Sequence, residues 1–247
     1  MKFKKTVKYL GIGLAALLVV AFLGLFAWSK TSTYPARDVA LAALESGDGV
    51  AVSQDQWITF TPEEGADIGL IFYPGGLVEP AAYAPVLRQI AAQEVLVVIT
   101  PMPLNLAIFN TGAADAVIQA HPEISTWILA GHSLGGAAAS IYAESNPDRI
   151  AGLALWDSYP PDSSDLSDND LPVLSIYGTT DGIPNTDNFD AKRDLLPAGT
   201  EFAALEGASH AQFGDYGPQK GDVLPTLSLA DQHQRVTEIM LDFIEQQ

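Results

Sequence analysis

The chain has 247 residues, with 12 basic and 30 acidic side chains and a net charge of −18. Hydrophobic residues make up 48%, enough for a sizeable core, so disorder is not the expected state. Cysteine is absent, which excludes disulfides, a thiol nucleophile and thiolate metal sites, and four histidines without a run argue against a His-rich metal cage.

Charge is unevenly divided along the chain. Residues 1–30 hold five lysines and no acid, leaving 7 basic and 30 acidic side chains for the other 217 residues, a balance of −23. A body this acidic repels phosphate backbones, so nucleic acid is not an expected partner. From Leu10 to Trp28 nineteen residues run without a charge. At 1.5 Å per residue such a helix spans a hydrocarbon core of about 30 Å. Lys2, Lys4, Lys5 and Lys8 precede it, so the positive-inside rule leaves the N-terminus in the cytoplasm and the body outside. Residues 1–30 are therefore expected to form a cytoplasmic basic stub and a single-pass membrane anchor. The alternative is a cleaved signal peptide, with Ala27-Trp28-Ser29 as a small-x-small site and a secreted body; the apolar stretch is longer than such peptides require.

Residues 31–49 read as a tether with a short helix, Pro35–Ser46, ended by Gly47-Asp48-Gly49. The domain proper is expected over 50–247. Strands are predicted at Trp57–Phe60 and Ile68–Tyr73, then a helix at Ala81–Ala92 and a buried strand at Val95–Ile99. A helix at Ala113–Ala120, a strand at Trp127–Ala130 and a small-residue helix at Leu134–Glu144 come next. Strands Ile150–Trp156 and Val173–Tyr177, a helix near Phe189–Leu196, strand Glu201–Leu205 and a helix at Ala230–Phe243 complete the chain. Repeated strand–helix alternation with continuous apolar strands predicts an α/β fold with a mostly parallel sheet covered on both faces.

Gly131-His132-Ser133-Leu134-Gly135 follows a predicted strand and opens a predicted helix. A nucleophile elbow needs this context: the serine occupies a sharp strand-to-helix turn, and the glycines let the two backbones approach. A serine nucleophile needs a base, and the base an orienting acid. Asp181 comes four residues after the strand ending at Tyr177, and His210 five residues after the strand ending at Leu205. In a parallel sheet these loops leave by the same edge as the elbow, so Ser133, Asp181 and His210 are the expected triad. Asp157, also at a strand end, is the rival acid. His132 is expected to pack, and His121 and His233 to be surface residues. The oxyanion donors are expected to be the N–H groups of Leu134 and of Gly76, with Leu77 the next choice.

Together the segments YPGGLVEPAAYAPVLRQIAAQ, MPLNLAIFN, GHSLGGAAAS, LPVLSIYGTTDG and SHAQFGDYGPQKGD resemble the α/β-hydrolases, and more narrowly the group called α/β-hydrolase fold-5. The resemblance runs over about residues 50–246. It implies an eight-stranded, mostly parallel sheet, hydrolase activity and the triad Ser133, Asp181 and His210. Ser209 departs from the asparagine expected before the histidine.

Only fifteen residues separate Trp156 from Pro172, too few for a lid domain. Met102, Leu104, Leu106, Phe109, Tyr159, Phe213 and Tyr216 are the candidate pocket lining, an apolar wall suited to a neutral acyl or alkyl group. No glycine-rich phosphate loop with lysine and no dinucleotide fingerprint is present, so no cofactor is expected. Asp162, Asp165, Asp168 and Asp170 lack the spacing of a calcium loop and read as a solvated acidic loop, so no metal is expected. The expected activity is ester hydrolysis on a small-molecule substrate through an acyl-enzyme. Other triad chemistry (acyl transfer, thioester, lactone or amide cleavage) and a non-catalytic binding module remain the alternatives.

Overall fold

The computed structural model describes residues 2–180, 182–183 and 186–247. Two compact units are present, residues 1–33 and 34–247. The first is a single long helix, α1 (Lys2–Ser32), whose 22-residue span Gly11–Ser32 is long and apolar enough to cross a membrane and keeps its large apolar side chains exposed.

The second unit is built on one eight-stranded sheet: β1 (Val50–Gln54), β2 (Ile58–Pro62), β3 (Ile68–Tyr73), β4 (Val95–Ile99), β5 (Thr126–His132), β6 (Gly152–Trp156), β7 (Val173–Gly178) and β8 (Glu201–Leu205). Its order is β1-β2-β4-β3-β5-β6-β7-β8, with β1 and β2 antiparallel to their neighbours and the other pairs parallel. The mostly parallel α/β expectation is met. β1 has no counterpart among the predicted strands: it is an edge strand with one buried residue in five, so it carries no apolar run.

Successive strand residues point to opposite faces, and the core divides accordingly. Leu70, Phe72, Val97, Ile99, Ala130 and Trp156 face one side, covered by α3 (Ala84–Ala91) and by α7 (Leu229–Ile244). Ile71, Tyr73, Val98, Leu129 and Leu155 face the other, under α4 (Ala113–Ala120) and α5 (Leu134–Ser145). Continuous apolar runs in the central strands follow from this, since both faces are buried.

Residues 34–46 are shorter in helix than predicted, with only α2 (Asp38–Ala42) formed. The preceding backbone is engaged by the body instead. Tyr34 N–H donates to Leu77 O at 2.8 Å, Glu79 N–H to Tyr34 O at 3.0 Å, and Arg37 N–H to Asp215 O at 3.0 Å. A side-chain carboxylate of Glu79 accepts from Ala36 N–H at 2.9 Å. Far from loose, this stretch is stitched to the loops after β3 and β8. The predicted helix at 189–196 is displaced as well, to α6 (Thr186–Ala191) followed by a 3-10 turn at Arg193–Leu195.

His233, expected at the surface, is buried in α7, and burial pushes its pKa down to about 4. It stays neutral in the folded chain where the unfolded chain would protonate it near ~6.5. Its contribution to stability is therefore complete above that value and lost progressively as pH falls towards about 4. Urea midpoints measured from pH 7 to 4 should fall, and His233→Gln should fall less steeply over that window. Parallel curves would show that this histidine is not the titrating group.

Candidate active site

The carboxyl ends of β3, β5 and β6 finish level. Tyr73 pairs with Gly131, and His132 pairs with Trp156. Ser133 follows at once, with φ 52° and ψ −123°, a sharp turn between β5 and α5. Its N–H donates to Trp156 O at 3.0 Å, and its carbonyl accepts from Ser158 Oγ at 2.6 Å. Both bonds hold a backbone conformation that a serine adopts only under constraint. The flanking glycines are needed for space. A Cβ on Gly131 would lie 2.5 Å from the carbonyl carbon of Gly135, and one on Gly135 would overlap the Tyr73 carbonyl oxygen. A Cβ on Gly136 would sit 2.5 Å from Ser158 Oγ.

His210 opens a 3-10 turn after β8, and its Nδ1 lies 2.8 Å from Asp157 Oδ2, with both side chains buried. Asp157 directly follows β6 at φ 47° and accepts a second bond from Gly178 N–H, at 3.2 Å to Oδ1. The described carboxylate on Nδ1 is thus the rival acid. Asp181, the expected one, lies outside the described residues. Buried Gln232 clamps the residue before the base: its Oε1 accepts from Ser209 N–H at 3.2 Å, and its Nε2 donates to Ser209 O at 3.0 Å.

Ser133, His210 and Asp157 line one small cavity of about 220 Å³, with Ala137, Ser158, Tyr159 and Ile183 completing its wall. Of the expected lining residues only Tyr159 is there. Met102 is buried in the core layer under α4 and α5, while Phe213 stacks on His132 at 5.5 Å and Tyr216 lies 6.5 Å from Tyr83, both inside the other layer. Phe109 is solvent-exposed, and Leu104 sits in the turn after β4 at φ 57°. Leu106 approaches the β3 loop, 3.7 Å from where a Cβ on Gly76 would be. Apolar residues after strands serve core and pocket equally well, which is why type and position could not separate them. Ser158, by contrast, is a polar wall residue that the sequence reading did not single out.

Of the expected oxyanion donors, Leu134 directly follows the cavity's serine in the chain, and Gly76 lies in the loop after β3. Leu134 is the first residue of α5, where an N–H has no intrahelical acceptor. In the β3 loop, Gly75 N–H donates to Tyr83 Oη at 3.0 Å and Leu77 N–H to Asn105 O at 2.7 Å. Leu77 is therefore engaged, and Gly76, between them, is the remaining candidate. Gly76 and Leu134 are neighbours: a Cβ on Gly76 would lie 3.3 Å from Leu134 Cβ.

No group of histidines and carboxylates suited to a metal ion occurs among the described residues. In the acidic loop, Asp165 and Asn169 instead cap local turns, accepting from Ser167 N–H and Leu171 N–H. A larger depression of about 680 Å³ lies at the opposite edge of the sheet, lined by Glu64, Asp67, Glu94 and Glu245. No serine or histidine lines it, and size alone does not make it the site.

Residues 69–234 match the Alpha/beta hydrolase family. The chain belongs to this family. No curated protein matches this α/β-hydrolase by sequence. Among solved structures it is similar to Est1E from Butyrivibrio proteoclasticus with ferulic acid bound, at 15% identity and TM-score 0.57, over 81% of this chain and 98% of that one. It is also similar to a structure from the metagenome-derived lipolytic enzymes LipS and LipT, at 15% identity and TM-score 0.56, over 74% of this chain and 95% of that one. A thioesterase domain from the curacin biosynthetic pathway aligns at 12% identity and TM-score 0.55, over 78% of this chain and 98% of that one. At these identities the likeness concerns the fold.

The crowding at the elbow has a measurable consequence. Gly135→Ala should lower stability by about 1–3 kcal/mol, the usual cost of overpacking, in urea titrations against the parent. An unchanged midpoint would mean that α5 can withdraw from β3 at little cost.

Proposed function

We propose that this α/β-hydrolase is a serine hydrolase that cleaves carboxylic esters through an acyl-enzyme. The observation that carries the reading is the buried His210–Asp157 pair on the same cavity as Ser133. In the proposed mechanism, His210 takes the proton from Ser133 as its oxygen attacks the substrate carbonyl. Asp157 accepts a hydrogen bond from Nδ1–H, fixing the tautomer and stabilising the imidazolium that forms. The N–H groups of Gly76 and Leu134 bind the tetrahedral oxyanion, helped by the positive end of α5. The leaving alcohol takes the proton from His210, and water then hydrolyses the acyl-enzyme by the same route. The names of the structural neighbours, a lipolytic enzyme and an esterase holding ferulic acid, favour esters; the thioesterase domain makes thioesters the second class to assay. The small cavity favours a compact acyl or alcohol group.

The assignment of roles is tested on residues 31–247 with p-nitrophenyl esters of graded chain length. Ser133→Ala should abolish turnover, and a fluorophosphonate adduct should map to Ser133. Asp157→Asn should lower kcat by about 10⁴-fold, by favouring the wrong tautomer, and Asp181→Asn by far less. The reverse order would make Asp181 the orienting acid.

For the N-terminus we propose residues 1–30 as a retained signal-anchor and the remainder as an extracytoplasmic body. The exposed apolar helix and its preceding lysines support this, and they equally suit a cleaved signal peptide with a secreted body. Protease added to intact cells should digest the body while the membrane fraction retains the helix. Mature protein in the medium, with an N-terminus near Lys30, would establish cleavage instead.

A further inference from the structure

Behind the cavity lies a polar connection that the mechanism leaves unused. Tyr83 ends the 3-10 turn Pro80–Tyr83 and is wholly buried. Its Oη lies 3.0 Å from Gly75 N and 2.8 Å from His132 Nδ1. Gly75 can only donate, so the Tyr83 hydroxyl keeps its own proton for Nδ1, and His132 is the neutral tautomer protonated at Nε2. Burial, and then the nearby charge of His210, push the His132 pKa well below its usual value, which agrees with a ring that stays neutral. The other face of the connection is the base itself, for the His132 and His210 ring centroids are 4.4 Å apart. Phe213 stacks on His132 at 5.5 Å and closes the layer. Gly75 is moulded to the pair. A Cβ there would fall 2.7 Å from Tyr83 Oη and 2.8 Å from His132 Nδ1.

We propose that Tyr83 and His132 are positioning residues that tie the Gly75-Gly76 oxyanion loop to the ring of His210. The inference rests on the serine-hydrolase reading and adds to it a cause for the placement of its two catalytic halves. The Gly75 N–H bond to Tyr83 on one side and the Leu77 N–H bond to Asn105 O on the other leave the intervening Gly76 amide little freedom to turn. Tyr83→Phe keeps the ring but leaves Gly75 N–H and His132 Nδ1 buried without a partner. Such a loss is felt as misorientation of the oxyanion donor, and so in the transition state more than in substrate binding.

The test measures kcat and KM on a p-nitrophenyl ester, the rate of fluorophosphonate inactivation, and thermal unfolding. Wild type, Ser133→Ala, Tyr83→Phe, His132→Phe and His132→Asn are compared. Tyr83→Phe should lower kcat and the inactivation rate roughly 10- to 100-fold with KM little changed, the scale of a displaced catalytic group. His132→Phe should do the same. His132→Asn, which returns an acceptor near the place of Nδ1, should recover most of the loss. A folded Tyr83→Phe with wild-type kcat overturns the proposal while leaving the hydrolase reading intact. If Tyr83→Phe fails to fold, equal losses in His132→Phe and His132→Asn overturn it. Failure of the hydrolase reading looks different: wild type itself would neither turn over the ester nor react with the phosphonate.

Discussion

The arrangement depends on how closely the first turn of α5 approaches the end of β3. Gly135 lies against the Tyr73 carbonyl, Gly131 against Gly135, and Gly136 against Ser158, with no room for a methyl group at any of them. That approach bends the chain at Ser133 and presents the start of α5 beside the β3 loop. Gly76 and Leu134 become neighbours for the same reason. Backbone strain gathers along this edge. Leu77, Leu104, Asn105, Ser133 and Asp157 all have positive φ, and each follows a strand at its carboxyl end. The parallel strands beneath them, held on both faces by core, supply the rigidity against which such strain persists.

Charge at the site is handled by pairing within a dry environment. Asp157 is taken out of water but receives Gly178 N–H and the His210 ring, so its desolvation is offset by two directed bonds. His132 is handled in the opposite way. Burial holds its pKa well below the usual value, with the Tyr83 hydroxyl at its Nδ1, so that in the proposed mechanism the imidazolium on His210 would meet no like charge at 4.4 Å. Two adjacent histidines thus have different electrostatic environments, one made by a carboxylate and the other by burial.

Much of this was legible in the sequence, and unevenly so. β3 to β7 announce themselves because strands buried on both faces must be apolar throughout. β8 is legible at the edge from its run Phe202-Ala203-Ala204-Leu205, although only one of its five residues is buried. The elbow is legible because few turns demand glycine on both sides of a serine. β1 was not legible, since a solvated edge strand has no apolar run. The helix expected over 35–46 forms only at 38–42, since the N–H groups of Ala36 and Arg37 are taken by Glu79 and Asp215, partners 40 and more residues away in the chain. For the acid, position after a strand admits both Asp157 and Asp181, and nothing local tells which carboxylate reaches a ring brought by another loop. The pocket was the least legible part. Met102, Phe213 and Tyr216 have the composition of a pocket wall and the burial of a core.

The short run from Tyr34 to Arg37 has a bearing on how the body could be released. These residues bond to Leu77 and Glu79, in the loop that carries Gly76, and to Asp215, in the loop that carries His210. A peptidase that freed the domain by cutting upstream of Tyr34 would leave both loops fastened. A cut only a few residues further on would remove the fastening from both loops at once. Any cleavage that is to release the body with both loops fastened is therefore confined to a narrow window, bounded by the apolar helix before it and by this seam after it.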